Sequence, residues 1–597
     1  MKIPKFLGRN IQVHQSYSTM GMLGFTSVFF RSLVGFSGPF QAMFAFFLFP
    51  ICFTRNFRAA PLLTNTPYIW AWNAPSVLCD SKFNVPIDLS LFSFIGNPQK
   101  NVIGQNVTIF YMDRLGYYPY INTVNHTDVN GGIPQVGSLQ KHLVKAKDDI
   151  LYYMPQDKLG LAVIDWEEWR PIWARNWKPK DIYQQKSIEL VLQNNVQLSE
   201  EEATKIAKVD FEKAARDFMQ ETLKVGKSLR PKHLWGYYLF PNCYNYNYNE
   251  PSYNGSCPDI EKSRNNELFW LWEESTALYP SIYLNDKLTS SPEAILYVRN
   301  RIQETIRISE VLNAQDPLPI FVYARPVFSG GSGEYLSQAD LVSTIGESIA
   351  LGASGIVMWG SLNLSQSMQS CMDLDIYMKS TLNPYLINVT LAAKMCSQVL
   401  CQEQGVCTRK HWNSSDYLHL NPMNFAIKTG KGGKYFIYGK PTLNDLRYFS
   451  EKFHCSCYPN VSCHETFNMQ TTDIVHVCIT DDICIEGFIG TELSTISSTS
   501  NEEPSTTSSN VSSYTPSTEC DPGIDFNDCL KIKCSVEELL NNEIQKDCES
   551  MHRNNSNYLP SHKINQTTRH PPNAGVIKFP IYIFYISISF TFLYFIA

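Results

Sequence analysis

The chain has 597 residues, which is too long for one small domain and leaves ample material for a large buried core. Apolar residues make up 44% and charged residues 18% of the sequence, a balance typical of a globular protein and not of a disordered one. The formal net charge of −6 disfavours nucleic acid as a partner, because binding phosphates requires a basic surface.

The amino-terminal segment is predicted to be a targeting signal. Residues 41–54, QAMFAFFLFPICFT, form an apolar run of about the length of a signal-peptide core, and basic residues precede it. A membrane-spanning anchor is the alternative, but the run contains a proline and is shorter than the ~20 residues that a span needs. We therefore expect a leader over residues 1–55, with Met20 or Met22 as possible true starts.

The carboxyl-terminal segment is predicted to be an attachment signal for a glycosylphosphatidylinositol (GPI) anchor. Residues 579–597, FPIYIFYISISFTFLYFIA, carry no charge. A GPI signal ends in an apolar tail of this kind, whereas a transmembrane helix normally has polar residues on its far side. We expect the signal to occupy residues 571–597 and the protein to lie on the extracellular face of the plasma membrane. A transmembrane tail is the alternative.

Sequons and cysteines agree with a route through the secretory pathway. Ten Asn-X-Ser/Thr sequons favour a glycosylated protein, and seven of them precede residue 490: Asn106, Asn125, Asn254, Asn363, Asn388, Asn413 and Asn460. Of the 17 cysteines, Cys52 lies in the leader and 16 remain. An even number favours complete pairing as disulfides, and no histidines stand beside cysteine pairs with the spacing of a zinc finger.

The cysteines also divide the chain. Residues 56–390 hold four and residues 391–490 hold eight, which is the density of a small disulfide-rich module. Residues 491–519 are rich in Ser, Thr and Pro, cannot bury enough apolar surface to fold, and are typical of a stalk. We predict that the stalk and a cysteine-containing tail together cover residues 491–570.

Strand-like and helix-like segments alternate through residues 56–390. Six nearly continuous apolar runs are typical of strands buried on both faces of a parallel sheet, and they cover 107–113, 159–165, 233–240, 279–284, 319–325 and 355–360. Helical patterns occupy 201–229, 292–312 and 338–351. This α/β alternation indicates a doubly wound sheet or a (β/α) barrel. Because no glycine-rich phosphate loop follows the first strand, we favour the barrel.

Two carboxylates stand at the end of one predicted strand. Asp165 and Glu167 are two residues apart, so on an extended chain both point to the same face. Catalytic groups of (β/α) barrels cluster at the carboxyl ends of strands. Like charge and partial burial raise the pKa of one carboxyl, which makes a protonated acid available. The same two residues also suit a helix cap or a salt-bridged strand end.

Basic and aromatic residues follow this pair directly. Arg170 and Arg175 are interleaved with tryptophans, an arrangement that suits binding of an acidic polysaccharide. A solvated basic loop is the alternative. Tyr238, Tyr279 and Tyr323 lie at other strand ends, where a substrate could supply the hydrogen-bond partner that a buried phenol needs.

Seven motifs resemble the hyaluronidase family of glycoside hydrolases. They occur in the family's order over about residues 65–485, and together they are far more specific than any one of them. The motifs are WAWNAPS, FYMDRLGYYPYI, GGIPQ, DWEEWRPIWARNWKPKDIY, WGYYLFPNCYN, ALYPSIYL and LGASGIVMWG.

The resemblance implies a distorted (β/α) TIM-like barrel over residues 56–390, an EGF-like module over residues 391–490, and a known chemistry. The implied reaction is hydrolysis of the β-1,4 linkages of hyaluronan with retained configuration and without cofactor or metal. Glu167 is implied as the general acid. Asp165 is implied to orient the acetamido group of the substrate, whose oxygen takes the place of a protein nucleophile. Substrate contacts are implied for Tyr238, Tyr279 and Trp359. Tyr323 and Arg325 lie at another strand end, with weaker support for a direct role.

The resemblance also implies disulfides and partners. The implied pairs are Cys79–Cys371, Cys243–Cys257, Cys396–Cys407, Cys401–Cys455, Cys457–Cys463 and Cys478–Cys484. Hyaluronan is the expected substrate, with chondroitin as a further candidate. The apolar tail is similar to that of GPI-anchored sperm-surface members of the family, which would place the protein near egg-coat glycoproteins. The competing hypothesis is an adhesion receptor that binds hyaluronan or the egg coat without cutting it.

Overall fold

The computed structural model describes residues 56–461, 463 and 474–488. The predicted leader over 1–55, the stalk and tail over 491–570 and the GPI signal over 571–597 lie outside the described residues. Helices long and apolar enough to cross a membrane do not occur within the described part.

Fifteen strands are present in the described residues. In chain order they are β1 (Ile69–Asn73), β2 (Phe94–Gly96), β3 (Val107–Tyr111), β4 (Tyr120–Asn122), β5 (Thr127–Val129), β6 (Gly160–Asp165), β7 (His233–Tyr237), β8 (Phe321–Ala324), β9 (Gly355–Trp359), β10 (Gly405–Arg409), β11 (Phe425–Thr429), β12 (Tyr435–Gly439), β13 (Phe453–Cys457), β14 (Ile474–Thr480) and β15 (Ile483–Phe488).

The helices of the same residues include a few long ones and several short ones. They are α1 (Val77–Phe83), α2 (Leu139–Tyr153), α3 (Asp181–Asn194), α4 (Glu200–Leu229), α5 (Asp259–Glu267), α6 (Phe269–Glu274), α7 (Pro292–Ser309), α8 (Gln338–Leu341), α9 (Glu347–Ala350), α10 (Met368–Tyr377), α11 (Asn383–Cys401) and α12 (Leu443–Lys452). Two π-helical turns, Val342–Gly346 and Met378–Leu382, join α8 to α9 and α10 to α11. Short 3₁₀ turns cover Trp173–Arg175, Asp286–Leu288, Leu362–Leu364 and Lys431–Gly433.

Parallel strands form the wall of a barrel. They pair in the orders β2–β1–β9–β8 and β3–β6–β7, and isolated backbone bridges of segment 278–281 connect β7 to β8. β2 and β3 lie side by side, since a Cβ added to Gly96 would stand 2.3 Å from the carbonyl oxygen of Val107. Counting segment 278–281, the wall has eight positions, and strands β6 and β9 are four positions apart, on opposite sides.

Most of the predicted elements are confirmed. Five of the six predicted strands form, but 279–284 contributes only isolated bridges. The helix predicted over 201–229 is α4, which begins at a capping box in which the side chain of Ser199 accepts from the backbone N–H of Glu202. Strands β1 and β2 were not predicted, because β1 is only five residues long and β2 three. The closed wall favours the barrel over the doubly wound sheet.

One row of side chains from each barrel strand points inward and forms the interior core. Successive residues of a strand face opposite sides, so alternate positions line the interior. The buried interior residues are Ile69, Ala71, Phe94, Val107, Ile109, Leu161, Val163, Ala277, Tyr279, Phe321, Tyr323 and Val357. The opposite rows pack against the surrounding helices in two further clusters. The interior is therefore filled with side chains, and space for a substrate is left at the carboxyl ends of the strands.

The carboxyl-terminal part of the described chain is built from antiparallel pairs held by disulfides. The pairs are β10–β13, β11–β12 and β14–β15. The six disulfides join the same cysteines that the resemblance implies: Cys79–Cys371, Cys243–Cys257, Cys396–Cys407, Cys401–Cys455, Cys457–Cys463 and Cys478–Cys484. Residue 390, where the sequence places a domain boundary, lies inside α11, and Thr390 accepts a hydrogen bond from the indole of Trp70 at 3.0 Å.

A buried carboxylate links this part to the barrel helices. Glu347 of α9 is fully buried and accepts hydrogen bonds from Arg299 of α7 at 2.6 Å and from Arg409 of β10 at 2.8 Å. Removing one member of such a network would leave an uncompensated charge in the interior, which is strongly destabilising. This ion triad therefore holds the antiparallel pairs and the barrel in one packed body.

Candidate active site

The inward rows of seven of the eight wall segments end in a polar or aromatic residue at the mouth, and that of β2 ends in Gly96. On β6, Leu161 and Val163 belong to the interior core, and Asp165 is the next inward position and the last residue of the strand. Inward positions recur every second residue, so the same step of two residues along the other segments leads to the mouth. The residues found there are Asn73, Tyr111, Tyr238, Tyr283, Arg325 and Trp359. The mouth therefore combines carboxyl, phenol, amide, guanidinium and indole groups in one layer.

Asp165 is a carboxyl group that is only partly exposed to water. Its Oδ1 atom is buried and has no hydrogen-bond partner among the described residues. Burial raises the pKa of Asp165 well above its ordinary value, and the negative charges of Glu167 and Glu168 raise it further, while the charges of Arg170 and Arg114 oppose the change. The prediction that one carboxyl of the pair has a raised pKa is therefore supported, and that carboxyl is Asp165.

Glu167 is the accessible carboxyl of the pair. Its side chain is 34% exposed, and its Oε2 lies 3.1 Å from Nη2 of Arg170, whose own side chain is only 5% exposed. Nη1 of Arg170 also donates to the backbone carbonyl of Glu167 at 2.9 Å. Because one guanidinium binds both the backbone and the carboxylate, Glu167 is fixed in position and still faces the solvent.

The loop after Glu167 is held by its own polar contacts. The Asn176 side chain accepts from the backbone N–H of Arg170 at 2.8 Å and donates to the backbone carbonyl of the same residue at 2.9 Å. Burial and the positive charge of Arg170 lower the pKa of Lys180 to about 8. The negative charges of Glu167 and Glu168 oppose this change. A second cation thus stands beside the carboxyl cluster.

Tyr238 connects the carboxyl pair to the far wall. Burial raises the pKa of Tyr238 well above its ordinary value, and the charges of Glu167 and Asp165 raise it further, which places the phenol beside both carboxyls. Its hydroxyl donates to Oγ of Ser281 at 3.2 Å. Tyr238 is therefore a protonated phenol between the acid pair and the opposite side of the mouth.

The far wall is aromatic. Trp359 ends β9, opposite β6, and its indole N–H donates to the hydroxyl of Tyr111 at 3.0 Å. The ring of Tyr283 lies nearly parallel to that of Trp359, at a centroid distance of 6.0 Å and an angle of 25°, and it lies 6.1 Å from the ring of Tyr238. Flat aromatic faces of this kind accommodate the apolar faces of sugar rings.

The structure corrects the prediction for Tyr279 and identifies Tyr283 in its place. Tyr279 is 0% exposed, and its hydroxyl donates to the backbone carbonyl of Leu234 at 2.6 Å, so it belongs to the interior core and cannot contact a substrate. Tyr283 stands four residues later on the same inward row and reaches the mouth. The sequence could have indicated Tyr283 if inward positions had been counted every second residue along the segment, because only the last inward residue lies at the mouth.

Two further predicted contacts are also corrected. Tyr323 is fully buried, receives a hydrogen bond from Asn73 at 3.5 Å and packs edge-on against Tyr238 at 5.1 Å, so it supports Tyr238 from the interior. Arg175 is fully buried in an ion pair with Glu261 at 2.9 Å. Its guanidinium fastens the loop to α5 and is not available to a substrate.

The predicted glycosylation sites differ in exposure. Five of the seven described sequon asparagines are exposed: Asn125, Asn254, Asn363, Asn413 and Asn460. Asn106 and Asn388 are half-buried. The amide nitrogen of Asn106, the atom that would carry a glycan, donates to the backbone carbonyl of Leu159 at 3.1 Å. The side-chain oxygen of Asn388 accepts from the backbone N–H of Leu420 at 3.1 Å.

Comparison with known proteins identifies the family of this chain. The model of the hyaluronidase family matches residues 57–468. The chain belongs to the hyaluronidase family. Hyaluronidase PH-20 of Macaca fascicularis is 63% identical over 467 residues, which cover 78% of this chain and 91% of that protein. Hyaluronidase-5 of Mus musculus is 58% identical over 503 residues, which cover 84% and 95%.

One solved structure extends this comparison. Bee venom hyaluronidase in complex with a hyaluronic acid tetramer is 30% identical, with a TM-score of 0.47, over 53% of this chain and 98% of that chain. On the strength of the family match and the curated relatives, the chain is a hyaluronoglucosaminidase, an enzyme that hydrolyses hyaluronan. This assignment excludes the competing hypothesis of a receptor that binds hyaluronan or the egg coat without cutting hyaluronan.

Replacing Tyr283 with Phe is expected to lower kcat/KM on hyaluronan about 10-fold or more, because the mouth loses a phenolic donor. Tyr279→Phe is the matched control. It removes a hydroxyl that is bonded inside the core, and should leave kcat/KM within about threefold of wild type. Steady-state rates of reducing-end release measure both variants. Equal losses of kcat/KM in the two variants would contradict the assignment of Tyr283 to the mouth and of Tyr279 to the core.

Asp165→Asn is expected to change the pH dependence of stability. At pH below the ordinary pKa of an aspartate both folded and unfolded states keep this proton, and the substitution matters little. As the pH rises, the unfolded chain loses the proton first, since the folded pKa is raised, and the folded state is progressively destabilised. The variant should therefore become increasingly more stable than wild type between about pH 4 and pH 7.

Urea unfolding midpoints measured across this pH range test the prediction. Asp157→Asn is the control, because Asp157 is 84% exposed and its substitution should not change the pH dependence. A constant difference between Asp165→Asn and wild type over the whole range would show that Asp165 is ionised in the folded protein.

Proposed function

We propose that the protein is an endo-acting β-N-acetylhexosaminidase that cuts the β-1,4 linkages of hyaluronan with retention, by substrate-assisted catalysis. One observation carries this proposal: of the two carboxyls at the end of β6, Glu167 is held by Arg170 at a partly exposed position, and Asp165 has a buried Oδ1 atom and a raised pKa. Both come from one side of the mouth. A retaining enzyme with a protein nucleophile needs a second carboxylate ≈5–5.5 Å across the scissile bond from the acid.

Within the described residues, the groups that we place on the far wall include no carboxylate to act as that nucleophile. These groups are Tyr283, Trp359 and Arg325, with Tyr238 between the walls. Burial raises the pKa of Tyr238 and of Tyr283 well above the ordinary value, so both phenols keep their protons and act as hydrogen-bond donors. Neutral donors and aromatic faces suit an acetamido group and a sugar ring. This arrangement supports a nucleophile supplied by the substrate.

The reaction then has two steps. In the first, Glu167 donates its proton to the glycosidic oxygen, the acetamido oxygen attacks the anomeric carbon from the other face, and the carbon–oxygen bond to the leaving sugar breaks. In the second, the Glu167 carboxylate takes a proton from water, which attacks the same carbon and reopens the ring formed by the acetamido group. Two displacements at one carbon leave its configuration unchanged.

Asp165 and Arg170 support the reaction without forming or breaking covalent bonds. The Asp165 carboxyl stands where the acetamido group must be oriented, and a negative charge there favours the cationic ring of the intermediate. The positive charge of the intermediate in turn favours the ionised form of Asp165. Arg170 holds Glu167 through its backbone and side chain.

We extend the proposal to location and organisation. Six disulfides indicate an oxidising compartment, and the apolar tail, the exposed sequons and the similarity of the chain to PH-20 hyaluronidases support a GPI-anchored extracellular enzyme. We place it on the sperm surface, where it would open the hyaluronan matrix of the egg and approach egg-coat glycoproteins. The division into a barrel over 56–390 and an EGF-like module over 391–490 belongs to the same proposal, as does chondroitin as a second substrate.

Glu167→Gln is expected to reduce hyaluronan hydrolysis by about 10²–10⁴-fold with unchanged folding, because the amide cannot donate the acid's proton. Glu168→Gln is the matched control. The Glu168 carboxylate accepts from the backbone N–H of Glu167 at 3.2 Å, and a glutamine oxygen can still accept this bond. The assay is the chain length of hyaluronan and the number of new reducing ends. Substantial turnover by Glu167→Gln would defeat the proposed function.

Treatment of cells that carry the protein with a phosphatidylinositol-specific phospholipase C is expected to release hyaluronidase activity into the medium. The lipid anchor holds the protein through its glycan and lipid alone, so cleavage of the headgroup frees the whole ectodomain. Activity that stays on the cells after treatment would favour the transmembrane alternative.

A further inference from the structure

Arg325 is a cation at the mouth of the barrel without an anionic partner. It follows β8 and occupies the inward position two residues after the buried Tyr323. Its guanidinium carbon lies 5.5 Å from the ring centroid of Tyr283 and 5.2 Å from that of Trp359. Its Nε atom is buried and makes no hydrogen bond within residues 56–461, 463 and 474–488, and no ion pair reaches the group there.

Other buried arginines of the described residues have hydrogen-bond partners, and most of them bind carboxylates. Arg170 binds Glu167 at 3.1 Å, Arg175 binds Glu261 at 2.9 Å and Arg299 binds Glu347 at 2.6 Å. Arg230 and Arg301 instead donate to carbonyl and amide oxygens. A partly buried charge without a counter-ion costs free energy, because water is lost and no partner replaces it. Arg325 therefore differs from its neighbours in a way that binding of an anion would compensate.

The two aromatic rings define what kind of anion fits. Contact with ring faces restricts the guanidinium plane, and the N–H groups at its edge then point away from the rings, in the plane. A carboxylate matches this edge with two parallel N–H···O bonds. The same rings border the far wall of the mouth, on which we have placed the substrate sugars.

We propose that Arg325 binds a glucuronate carboxylate of the substrate next to the N-acetylglucosamine that is cleaved at Glu167. This inference rests on the proposed function and adds a residue that selects for acidic chains. A neutral β-linked polysaccharide would leave the guanidinium desolvated and unpaired, and a site built for a polar contact discriminates strongly against a substrate that lacks it. Selection for the uronate thus comes from one residue of the catalytic mouth.

The experiment compares two substrates and several variants of the full-length enzyme. The substrates are hyaluronan and carboxyl-reduced hyaluronan, in which each glucuronate has become a neutral glucose. Arg325→Gln should lower kcat/KM on hyaluronan about 10- to 100-fold, mainly through KM, and change kcat/KM on the reduced polymer by less than about threefold. Arg325→Lys, which keeps the charge but not the planar fork, should recover part of the loss on hyaluronan only.

Controls separate this proposal from a structural role and from the proposed function. Arg447 lies exposed on α12, and Arg447→Gln should match wild type on both substrates. Equal losses of Arg325→Gln on the two substrates would overturn the assignment of Arg325 and leave the proposed function intact. Hydrolysis that survives in Glu167→Gln would defeat the proposed function itself.

The wild-type enzyme gives a test that does not depend on a variant's folding. Its kcat/KM on carboxyl-reduced hyaluronan should be about 10-fold or more below that on hyaluronan, because the Arg325 guanidinium has no anion to bind. Equal kcat/KM values for the two polymers would overturn the proposal even if every Arg325 variant failed to fold.

Discussion

A carboxyl group is costly to remove from water, and strand β6 ends in one whose Oδ1 atom is buried. The Asp165 carboxyl is confined by the closed barrel wall on one side and by Glu167, Glu168 and Arg170 on the other. Because its pKa is raised by this burial, Asp165 differs in character from the partly exposed Glu167 two residues away. In the mechanism that we propose, the chemistry of the mouth depends on that difference, with Glu167 as the acid and Asp165 as the residue that orients the acetamido group.

The barrel produces this difference through a simple geometric rule. Alternate residues of each parallel strand enter the interior, and the last of them stands at the mouth. Tyr323 lies one inward position below the mouth and Tyr279 lies two, so both belong to the core, whereas Tyr283 and Arg325 reach the mouth. A position along a strand therefore decides between a structural and a functional role, even for residues of the same chemical type.

Much of this arrangement could be predicted from the sequence. Apolar runs located β3, β6, β7, β8 and β9, and the spacing of Asp165 and Glu167 located the acid pair. Family resemblance supplied the six disulfide pairs of the described residues, and it singled out Trp359, which the structure places at the mouth. Patterns missed β1 and β2 because both are short.

The remaining errors have a physical cause. Arg175 was expected to bind substrate because arginine among tryptophans suits a polysaccharide, but Glu261, 86 residues away in sequence, pairs with it in the interior. A partner so distant along the chain cannot be recognised from local spacing. The depth of a tyrosine within the barrel likewise depends on where a strand begins relative to the mouth. Residues 279–284, which form isolated bridges instead of a regular strand, gave no such starting point.

The central claim is that the enzyme supplies one acid and the substrate supplies the nucleophile. Partially de-N-acetylated hyaluronan tests it most directly, because each cleavage then records which sugar was present at the scissile bond. The reducing ends of the products, determined by mass spectrometry, should all be N-acetylglucosamine, even when many glucosamine residues are available in the polymer. Reducing ends of free glucosamine in proportion to its content would show that cleavage does not need the acetamido oxygen, and would contradict the account.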